Sequence, residues 1–294
     1  MSSKEVESEV YRFQQGSVPL LVSMPHIGTQ IPASLQQRMT PEALRLADTD
    51  WHLDQLYNML DTLGASHIQA RYSRYVIDLN RPADDTNLYP GLDTTGLCPI
   101  DTFSKAPIYQ STAEPAETAD ITASSAAAPL QQADIAQRVQ TYWQPYHQQI
   151  QQELQRMRAA HGIAILWDAH SIASQVPRFF AGRLPDLNFG SASQTSCATA
   201  LQTCLQDVMR KHPSAASYSQ VWNGRFKGGY ITRQYGQPAH GIHALQLEMC
   251  QCLYMDEAAP YTYRPMLAQQ LQPLLQALLQ ACIQWAQQQV HARG

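Results

Sequence analysis

The chain has 294 residues, of which 44% are hydrophobic, which is enough to bury one large core. The formal net charge is −4, so no overall positive field attracts DNA or an anionic membrane, and we expect no nucleic-acid partner. The first residues carry Glu5, Glu7 and Glu9, unlike a signal peptide, and no window approaches the roughly 18 uninterrupted apolar residues of a membrane span. We therefore expect a cytoplasmic protein with one domain over residues 1–294 and no membrane partner.

The first predicted strand is the apolar run Val18–Ser23, which is rich in β-formers and ends at a turn. His26 follows that strand directly. Residues 41–63 carry apolar side chains at helical intervals, but the polar stretch Asp48–Trp51 interrupts the pattern and predicts the start of a second helix. Two carboxylates are therefore expected at a helix N-terminus.

Two further strands are predicted at Ser66–Ala70 and Tyr75–Asn80. An irregular stretch follows, from residue 81 to about residue 128. It is too long for a simple connection, and its Pro, Thr, Asp and Gly content is typical of a flap or insertion, at about 82–128, that covers a site.

The second half of the chain alternates predicted helices and strands. Apolar residues at spacings of three and four predict a helix over 129–160, with a kink at Pro145 and an end at Gly162. The run Ile163–Asp168 predicts a strand that terminates just before His170. Such alternation predicts an α/β fold with a mixed sheet flanked by helices, whose site lies beyond the carboxyl ends of the strands. The remaining elements are a helix at Cys197–Lys211, a strand at Ala244–Met249 and a helix at Pro265–Val290.

His26 and His170 each follow a predicted strand and are candidate metal ligands. Catalytic zinc takes three protein ligands from histidines and carboxylates and leaves a fourth position for water. One of Asp48 or Asp50 would complete the set, although a lone strand-end histidine is often only a hydrogen-bonded structural residue. Asp168 either orients a metal-bound imidazole or terminates the strand.

Other charged residues lie where a buried or substrate-facing role is expected. Glu248 interrupts an apolar strand and is either a general base or one half of a structural ion pair. Arg74 and Arg81 bracket the segment 75–80 and could stabilise an oxyanion and bind a carboxylate, or form surface ion pairs. Arg225 and Lys227 belong to a glycine-containing segment that is either a substrate loop or an ordinary turn.

Six segments together resemble the N-formylglutamate deformylase (N-formylglutamate amidohydrolase) family, in the order that is typical of that family, and they extend over most of the chain. They are Val22-Ser-Met-Pro-His-Ile-Gly-Thr29, Asp48-Thr-Asp-Trp-His52, Ala70-Arg-Tyr-Ser-Arg-Tyr-Val-Ile-Asp-Leu-Asn-Arg-Pro82, Leu166-Trp-Asp-Ala-His-Ser171, Gly224-Arg-Phe-Lys-Gly-Gly-Tyr-Ile-Thr-Arg233 and His243-Ala-Leu-Gln-Leu-Glu248.

The resemblance implies a phosphorylase/hydrolase-like α/β fold related to zinc carboxypeptidases and aspartoacylase. It implies zinc-dependent hydrolysis of N-formyl-L-glutamate to formate and L-glutamate, the last step of a histidine degradation route. Zinc carboxypeptidases carry a His-x-x-Glu pair, but Thr29 stands where that glutamate would be. The carboxylate ligand is then expected to be Asp50 first and Asp48 second.

The resemblance also implies roles for the remaining candidates. The expected metal ligands are His26, Asp50 and His170, with Zn²⁺ as the ion, although such ligands also accept Co²⁺. The expected catalytic residues are Glu248 as general base and Arg74 as oxyanion donor. The residues expected to bind the small-molecule substrate are Asn80, Arg81, Arg225 and Lys227.

Two other functions are compatible with the same residues. The first is a related zinc amidohydrolase that acts on another N-acyl amino acid, and the second is a non-catalytic protein that binds dicarboxylates. The sequence predicts no oligomeric state.

Overall fold

The computed structural model of the protein describes residues 5–7, 9–111 and 130–291. Its strands are β1 (Glu5–Glu7), β2 (Tyr11–Gln14), β3 (Leu20–Met24), β4 (Ser66–Ala70), β5 (Ala164–Ile172), β6 (Leu187–Gly190), β7 (Gln220–Trp222) and β8 (Ile242–Cys250). They form one eight-stranded sheet in the order β1-β2-β4-β3-β5-β8-β6-β7.

The centre of the sheet is parallel and its flanks are mixed. β4, β3, β5 and β8 pair in parallel, whereas β2 and β6 join this centre as antiparallel neighbours. The carboxyl ends of the central strands therefore meet at one edge. His26 lies two residues beyond β3, and His170 in β5 pairs in register with Glu248 in β8. This edge brings the candidate residues together.

Helices cover both faces of the sheet, as the sequence predicts. The α-helices are α1 (Ala33–Gln36), α2 (Leu53–Leu56), α3 (Leu60–Leu63), α4 (Gln132–Arg138), α5 (Gln144–His161), α6 (Thr199–Lys211), α7 (Tyr230–Tyr235) and α8 (Pro265–His291), and a π-helical turn (Val139–Trp143) joins α4 to α5. The 3₁₀ turns are Ala43–Arg45, Pro213–Ser217, Pro238–His240 and Gln251–Leu253.

Neighbouring residues of β5 pack in two different hydrophobic cores. Ile165 and Trp167 in β5 pack in the core that contains the buried side of α8 and part of α6, whereas Leu166 packs in the core that contains α5. Each fully buried leucine or isoleucine of this kind contributes about 1.5–3 kcal/mol. β5 is therefore buried on both sides, which explains its continuous apolar run. Within the described residues, no helix is both long enough and apolar enough to span a bilayer.

Most predicted elements are confirmed within a few residues. The strands expected at 18–23, 66–70 and 244–249 correspond to β3, β4 and β8, and the helices expected at 197–211 and 265–290 correspond to α6 and α8. Gly162 ends α5 with φ 71°, a left-handed conformation that glycine adopts without strain. The predicted start at Pro129 lies outside the described residues. The prediction of one domain over 1–294 stays a prediction.

The predicted strand at Tyr75–Asn80 is wrong. In the part of the chain that the structure describes, this buried segment pairs with no strand. Side chains from the α4–α5 region instead form hydrogen bonds with three main-chain carbonyl groups in it and next to it. Arg138 donates to Val76 O at 3.0 Å, His147 lies 2.9 Å from Leu79 O, and Trp143 donates to Arg81 O at 2.9 Å. An apolar run indicates burial, and here side chains rather than a neighbouring strand satisfy the backbone.

Three other expectations need correction. β5 continues to Ile172, so His170 lies inside the strand and not beyond it. Asp48 and Asp50 do not begin a helix, because α2 starts only at Leu53. The single helix expected over 129–160 is divided into α4, the π-helical turn and α5, and Pro145 lies in the first turn of α5.

Some elements carry too weak a pattern for sequence-based prediction, namely β1, β2, β6, β7 and α7, which have three to six residues each. Between β4 and α4, the described residues 71–111 form no helix and none of the eight strands, and the rest of the predicted flap, from residue 112, lies outside the described residues.

Candidate metal centre and active site

Two histidines and one aspartate from three parts of the chain meet at the carboxyl edge of the sheet. Nδ1 of His26 lies 3.1 Å from Nδ1 of His170, and Oδ2 of Asp50 lies 3.3 Å from the His170 atom and 3.7 Å from the His26 atom. All three side chains are buried. Atoms that bind zinc tetrahedrally at about 2.0–2.1 Å lie roughly 3.3–3.4 Å apart. This triangle therefore has the size needed to hold one small cation.

Main-chain contacts fix the three side chains relative to each other. The Asp50 N–H donates to His26 O at 3.0 Å, and the Ser171 N–H donates to Asp50 Oδ2 at 3.2 Å. The loop after His26 passes so close to its neighbour that a Cβ atom at Gly28 would lie 2.1 Å from Tyr72 O. Only glycine fits there without a shift of the backbone.

The outer nitrogen of each imidazole faces a carboxylate. His26 Nε2 lies 2.7 Å from Asp78 Oδ1 in a hydrogen bond, and His170 Nε2 lies 2.9 Å from Asp168 Oδ2 in an ion-pair contact that is less well aligned. When each imidazole carries its proton on Nε2, next to its carboxylate, the Nδ1 atoms of the two rings have lone pairs that face each other. Two such lone pairs 3.1 Å apart repel unless a proton or a metal cation lies between them.

His170 has a second neighbour that favours the opposite tautomer. Nδ2 of Asn80 also lies 3.0 Å from His170 Nε2, and the Asn80 amide is oriented because its Oδ1 accepts the Ile231 N–H. Asn80 can donate to Nε2 of His170 only when that nitrogen has a lone pair, whereas Asp168 can accept a hydrogen bond only when the same nitrogen carries a proton. A cation at Nδ1 selects the form in which Nε2 carries the proton and Asp168 accepts it.

The buried charges around the triangle are predominantly negative. Burial alone would lower the pKa of His170, but Asp168, Asp50 and Glu248 raise that pKa well above its ordinary value. For His26, burial and the nearby Arg74 outweigh the carboxylates, so its pKa is lowered. Buried carboxylates are costly without a positive partner. A divalent cation in the triangle would supply that charge.

Arg74 is the buried cation of the site. Its guanidinium donates to Asp78 Oδ2 at 2.7 Å, and the ring of Phe103 covers it at 4.7 Å from the ring centre. Burial raises the pKa of Asp78, but His26, Arg74 and Arg81 outweigh this effect and hold the pKa well below its usual range. Asp78 thus joins the His26 imidazole to the Arg74 guanidinium.

Glu248 is buried beside the triangle and has one side-chain donor nearby. Burial raises the pKa of Glu248 to about 8; His170 lowers it, and Asp50 raises it. Nε2 of Gln246 lies 3.4 Å from Glu248 Oε2, while Gln246 Oε1 accepts the Gly229 N–H at 2.7 Å. A bound cation would lower this pKa toward the ordinary range.

A single cavity connects the triangle with most of the predicted substrate residues. Arg81 enters it with Nε bonded to Thr95 O at 2.8 Å, and Arg225 enters it with Nε bonded to Phe179 O at 2.8 Å. The cavity is also lined by His26, Asp50, Arg74, Asn80, His170 and Glu248.

Two predicted residues lie elsewhere. Lys227 is exposed and does not line the cavity. Asp48 is not part of the described metal-binding group; its Oδ2 accepts the Phe103 N–H at 2.8 Å. Of the two aspartates that the sequence left open, Asp50 is therefore the one placed to bind a metal.

Comparisons with known proteins agree on the family. The family profile for N-formylglutamate amidohydrolase matches residues 18–255. The chain belongs to the N-formylglutamate amidohydrolase family. It is 45% identical over 280 residues to the N-formylglutamate deformylase of Pseudomonas aeruginosa, covering 95% of this chain and 98% of that protein. It is also 45% identical over 277 residues to the enzyme of that name from Pseudomonas putida, covering 94% and 97%.

Two solved structures share the fold. The crystal structure of N-formylglutamate amidohydrolase from Ralstonia eutropha superposes with a TM-score of 0.73 at 22% identity, covering 97% of this chain and 99% of that one. A gene product of Agrobacterium tumefaciens superposes with a TM-score of 0.64 at 17% identity, covering 94% and 95%. At these identities the likeness shows the fold alone.

Several residues of this family member's site were not predicted from its sequence. Asp78 was noted only as part of a motif, although its position two residues before Asn80 was a usable signal. Tyr89, Phe103 and Phe179 lie on irregular segments, where no periodicity indicates which way a side chain points. Gln246 could have been found, because it lies two residues before Glu248 on the same face of a strand.

Proposed function

We propose that this protein hydrolyses N-formyl-L-glutamate to formate and L-glutamate with the help of a divalent cation, for which Zn²⁺ is the first candidate. The observation that carries the proposal is the buried triangle of His26, Asp50 and His170 beside Glu248. Relatives at 45% identity are named N-formylglutamate deformylases, which supports the choice of substrate.

The donor set fits zinc. Two imidazole nitrogens and one carboxylate oxygen are a common set for catalytic zinc, with one position left for water, and Co²⁺ accepts the same ligands. A cation bound here would supply positive charge that acidifies a nearby water and polarises the formyl oxygen.

Glu248 would move the proton. It is buried in the same cavity and lies in register with His170, so its carboxylate can accept a proton from the attacking water. As the amide C–N bond breaks, the same carboxyl group would return that proton to the departing nitrogen of glutamate.

Arg74 would donate hydrogen bonds to the carbonyl oxygen as negative charge develops on it. Its guanidinium is buried and bonded to Asp78 through one nitrogen, which holds it in place. A fixed donor in a water-poor site costs no reorganisation during the reaction. Phe103 over its face limits access of water.

The two carboxylates of the substrate would bind the cationic end of the cavity. Arg81 and Arg225 each bind a main-chain oxygen through Nε, and their terminal nitrogens are the natural partners for carboxylates. Asn80 lines the same cavity, and its Nδ2 lies 3.0 Å from Nε2 of His170. The exposed Lys227 is left out of this proposal.

Three finer expectations also remain proposals. They are a relationship of the fold to zinc carboxypeptidases and aspartoacylase, a place at the end of a histidine degradation route, and a cytoplasmic location. We also propose that the described part of the segment 82–128 covers the site, because Tyr89 and Phe103 from this segment line the cavity.

The decisive experiment combines assay and metal analysis on the purified protein. We expect release of formate from N-formyl-L-glutamate, about one equivalent of bound metal, loss of turnover on chelation and recovery with Zn²⁺ or Co²⁺. A protein that binds the dicarboxylate but releases no formate at any metal content would contradict the proposal and favour a binding function.

A further inference from the structure

A second cavity lies directly behind the catalytic cavity and shares a wall with it. Three residues line both cavities, namely Phe103, Ser171 and Ile172. The second cavity has a volume of about 190 Å³, several times the volume of a methyl group. Its remaining lining is mixed, with the apolar or aromatic Ala47, Ala173, Val176, Pro177 and Tyr261 and the polar or charged Asp48, Ser104, Gln175, Gln251 and Glu257.

This shared wall stands next to the groups proposed to act on the formyl group. The Phe103 ring covers the Arg74 guanidinium at 4.7 Å, and the Ser171 N–H is bonded to Asp50 Oδ2. A carbonyl group bound by Arg74 and the metal triangle would lie in the part of the cavity that Phe103 and Ser171 line. The third substituent of the carbonyl carbon, besides its oxygen and nitrogen, must fit in the space between the reacting groups and this wall.

Phe103 is held in position from two directions. Its N–H donates to the buried Asp48 at 2.8 Å, and its ring meets the Phe179 ring edge-to-face with 4.8 Å between ring centres. Such contacts resist displacement of the ring. The aromatic wall is therefore built into the site.

We propose that Phe103 is the residue that restricts the acyl group to formyl, because it separates the catalytic cavity from a neighbouring cavity that could take larger acyl groups. The inference rests on the proposed function. A formyl carbon carries only hydrogen, whereas an acetyl carbon carries a methyl group that meets the Phe103 ring. Shortening this side chain joins the two cavities and gives the methyl group space.

The test compares acyl preferences of matched variants. Wild type, Phe103→Ala, Phe103→Leu and Phe226→Ala are assayed with N-formyl-, N-acetyl- and N-propionyl-L-glutamate. In each reaction water adds across the amide C–N bond, giving formate, acetate or propionate plus glutamate. Phe226 is the matched control because it lines the catalytic cavity but not the second cavity.

We expect the ratio of kcat/KM for acetyl over formyl substrate to rise about 10-fold or more in Phe103→Ala, the scale on which a pocket discriminates one carbon, and less in Phe103→Leu. In Phe226→Ala both substrates should be affected alike. The ratio separates pocket size from damage to Arg74, because a displaced guanidinium lowers both rates together.

The outcomes distinguish this inference from the proposed function. If wild type hydrolyses the formyl substrate and the ratio stays unchanged in both Phe103 variants, the inference is overturned and the function stands. If wild type hydrolyses none of the three substrates, both are wrong. Circular dichroism and metal content identify a variant that fails to fold, and Phe103→Leu then decides.

Discussion

The catalytic cavity has two walls of different construction. One wall consists of β5 and β8, where His170 and Glu248 lie opposite each other in a nine-residue parallel ladder. The other consists of irregular segments that carry Arg74, Asn80 and Phe103. A hydrogen-bonded ladder fixes the distance between two side chains regardless of neighbouring loops, so Glu248 and one metal ligand, His170, lie where geometry is most constrained.

The irregular wall owes its shape to individual side chains. Arg138, Trp143 and His147 from the α4–α5 region bind main-chain carbonyl groups of residues 76, 81 and 79. Each such contact is a single hydrogen bond that one substitution can remove. The comparison teaches that proton transfer and acyl selectivity lie on different walls, since the strand wall carries Glu248 and His170, whereas the irregular wall carries Arg74 and the residues that shape the substrate space.

The largest effect is expected from the strand wall, in Glu248→Gln. Without a group that accepts the proton, kcat should fall by about 10²- to 10⁴-fold, while bound metal stays near one equivalent because Glu248 is not in the triangle. Steady-state kinetics and metal analysis measure both quantities. Near-normal kcat in this variant would contradict the role of Glu248 and would weaken the division between the two walls.

The next effect concerns Asp78, which links the metal ligand His26 to Arg74 of the irregular wall by contacting both side chains. Replacing a carboxylate that orients a metal-bound histidine typically lowers metal affinity by roughly 10- to 100-fold. We expect this range for Asp78→Asn in competition with a chelator. Asp84→Asn is the control, because Asp84 is an exposed aspartate of the same irregular wall. Equal metal affinity in the two variants would argue against the link.

A smaller effect is expected on stability from His147, which fastens the irregular wall at Leu79. Burial lowers the pKa of His147 to about 3, whereas the unfolded chain binds this proton near pH 6.5. The contribution of the neutral His147 to the free energy of unfolding is therefore complete above about pH 6.5 and is lost as the pH falls toward 3. Between pH 6 and 4 it should decline by up to about 1.4 kcal/mol per pH unit.

Denaturant unfolding of wild type and His147→Leu at several pH values checks this expectation. The variant should be less stable by about 1–3 kcal/mol at neutral pH, where a buried carbonyl loses its donor, and the difference should shrink in acid. Parallel pH curves for the two proteins would show that His147 does not titrate in this way.

The smallest effect is expected from Lys227→Ala, because Lys227 is exposed outside the cavity. Its KM for N-formyl-L-glutamate should stay within about 2-fold of wild type, whereas Arg225→Ala, which removes a charged hydrogen-bond donor, should raise KM by roughly 10-fold or more. A similar rise in both variants would place Lys227 in the substrate site after all.

Prediction from sequence worked best for the strand wall. Buried parallel strands are continuous apolar runs, and a polar residue within or after such a run stands out. His26, His170 and Glu248 were recognised in this way, although the strand was expected to end before His170. Prediction was poorest for Phe103, since an aromatic residue in an irregular segment has no neighbours in sequence that reveal what it faces.

The sequence by itself determined the family, the alternation of strands and helices, and a set of candidate residues for metal binding and proton transfer, because these depend on residue type and on local periodicity. Only the tertiary structure decided that Asp50 rather than Asp48 joins the triangle, that Tyr75–Asn80 is fastened by helical side chains instead of strand pairing, and that Phe103 separates two cavities. These outcomes depend on distances between atoms far apart in the chain, and such distances follow from packing rather than from any pattern within one segment.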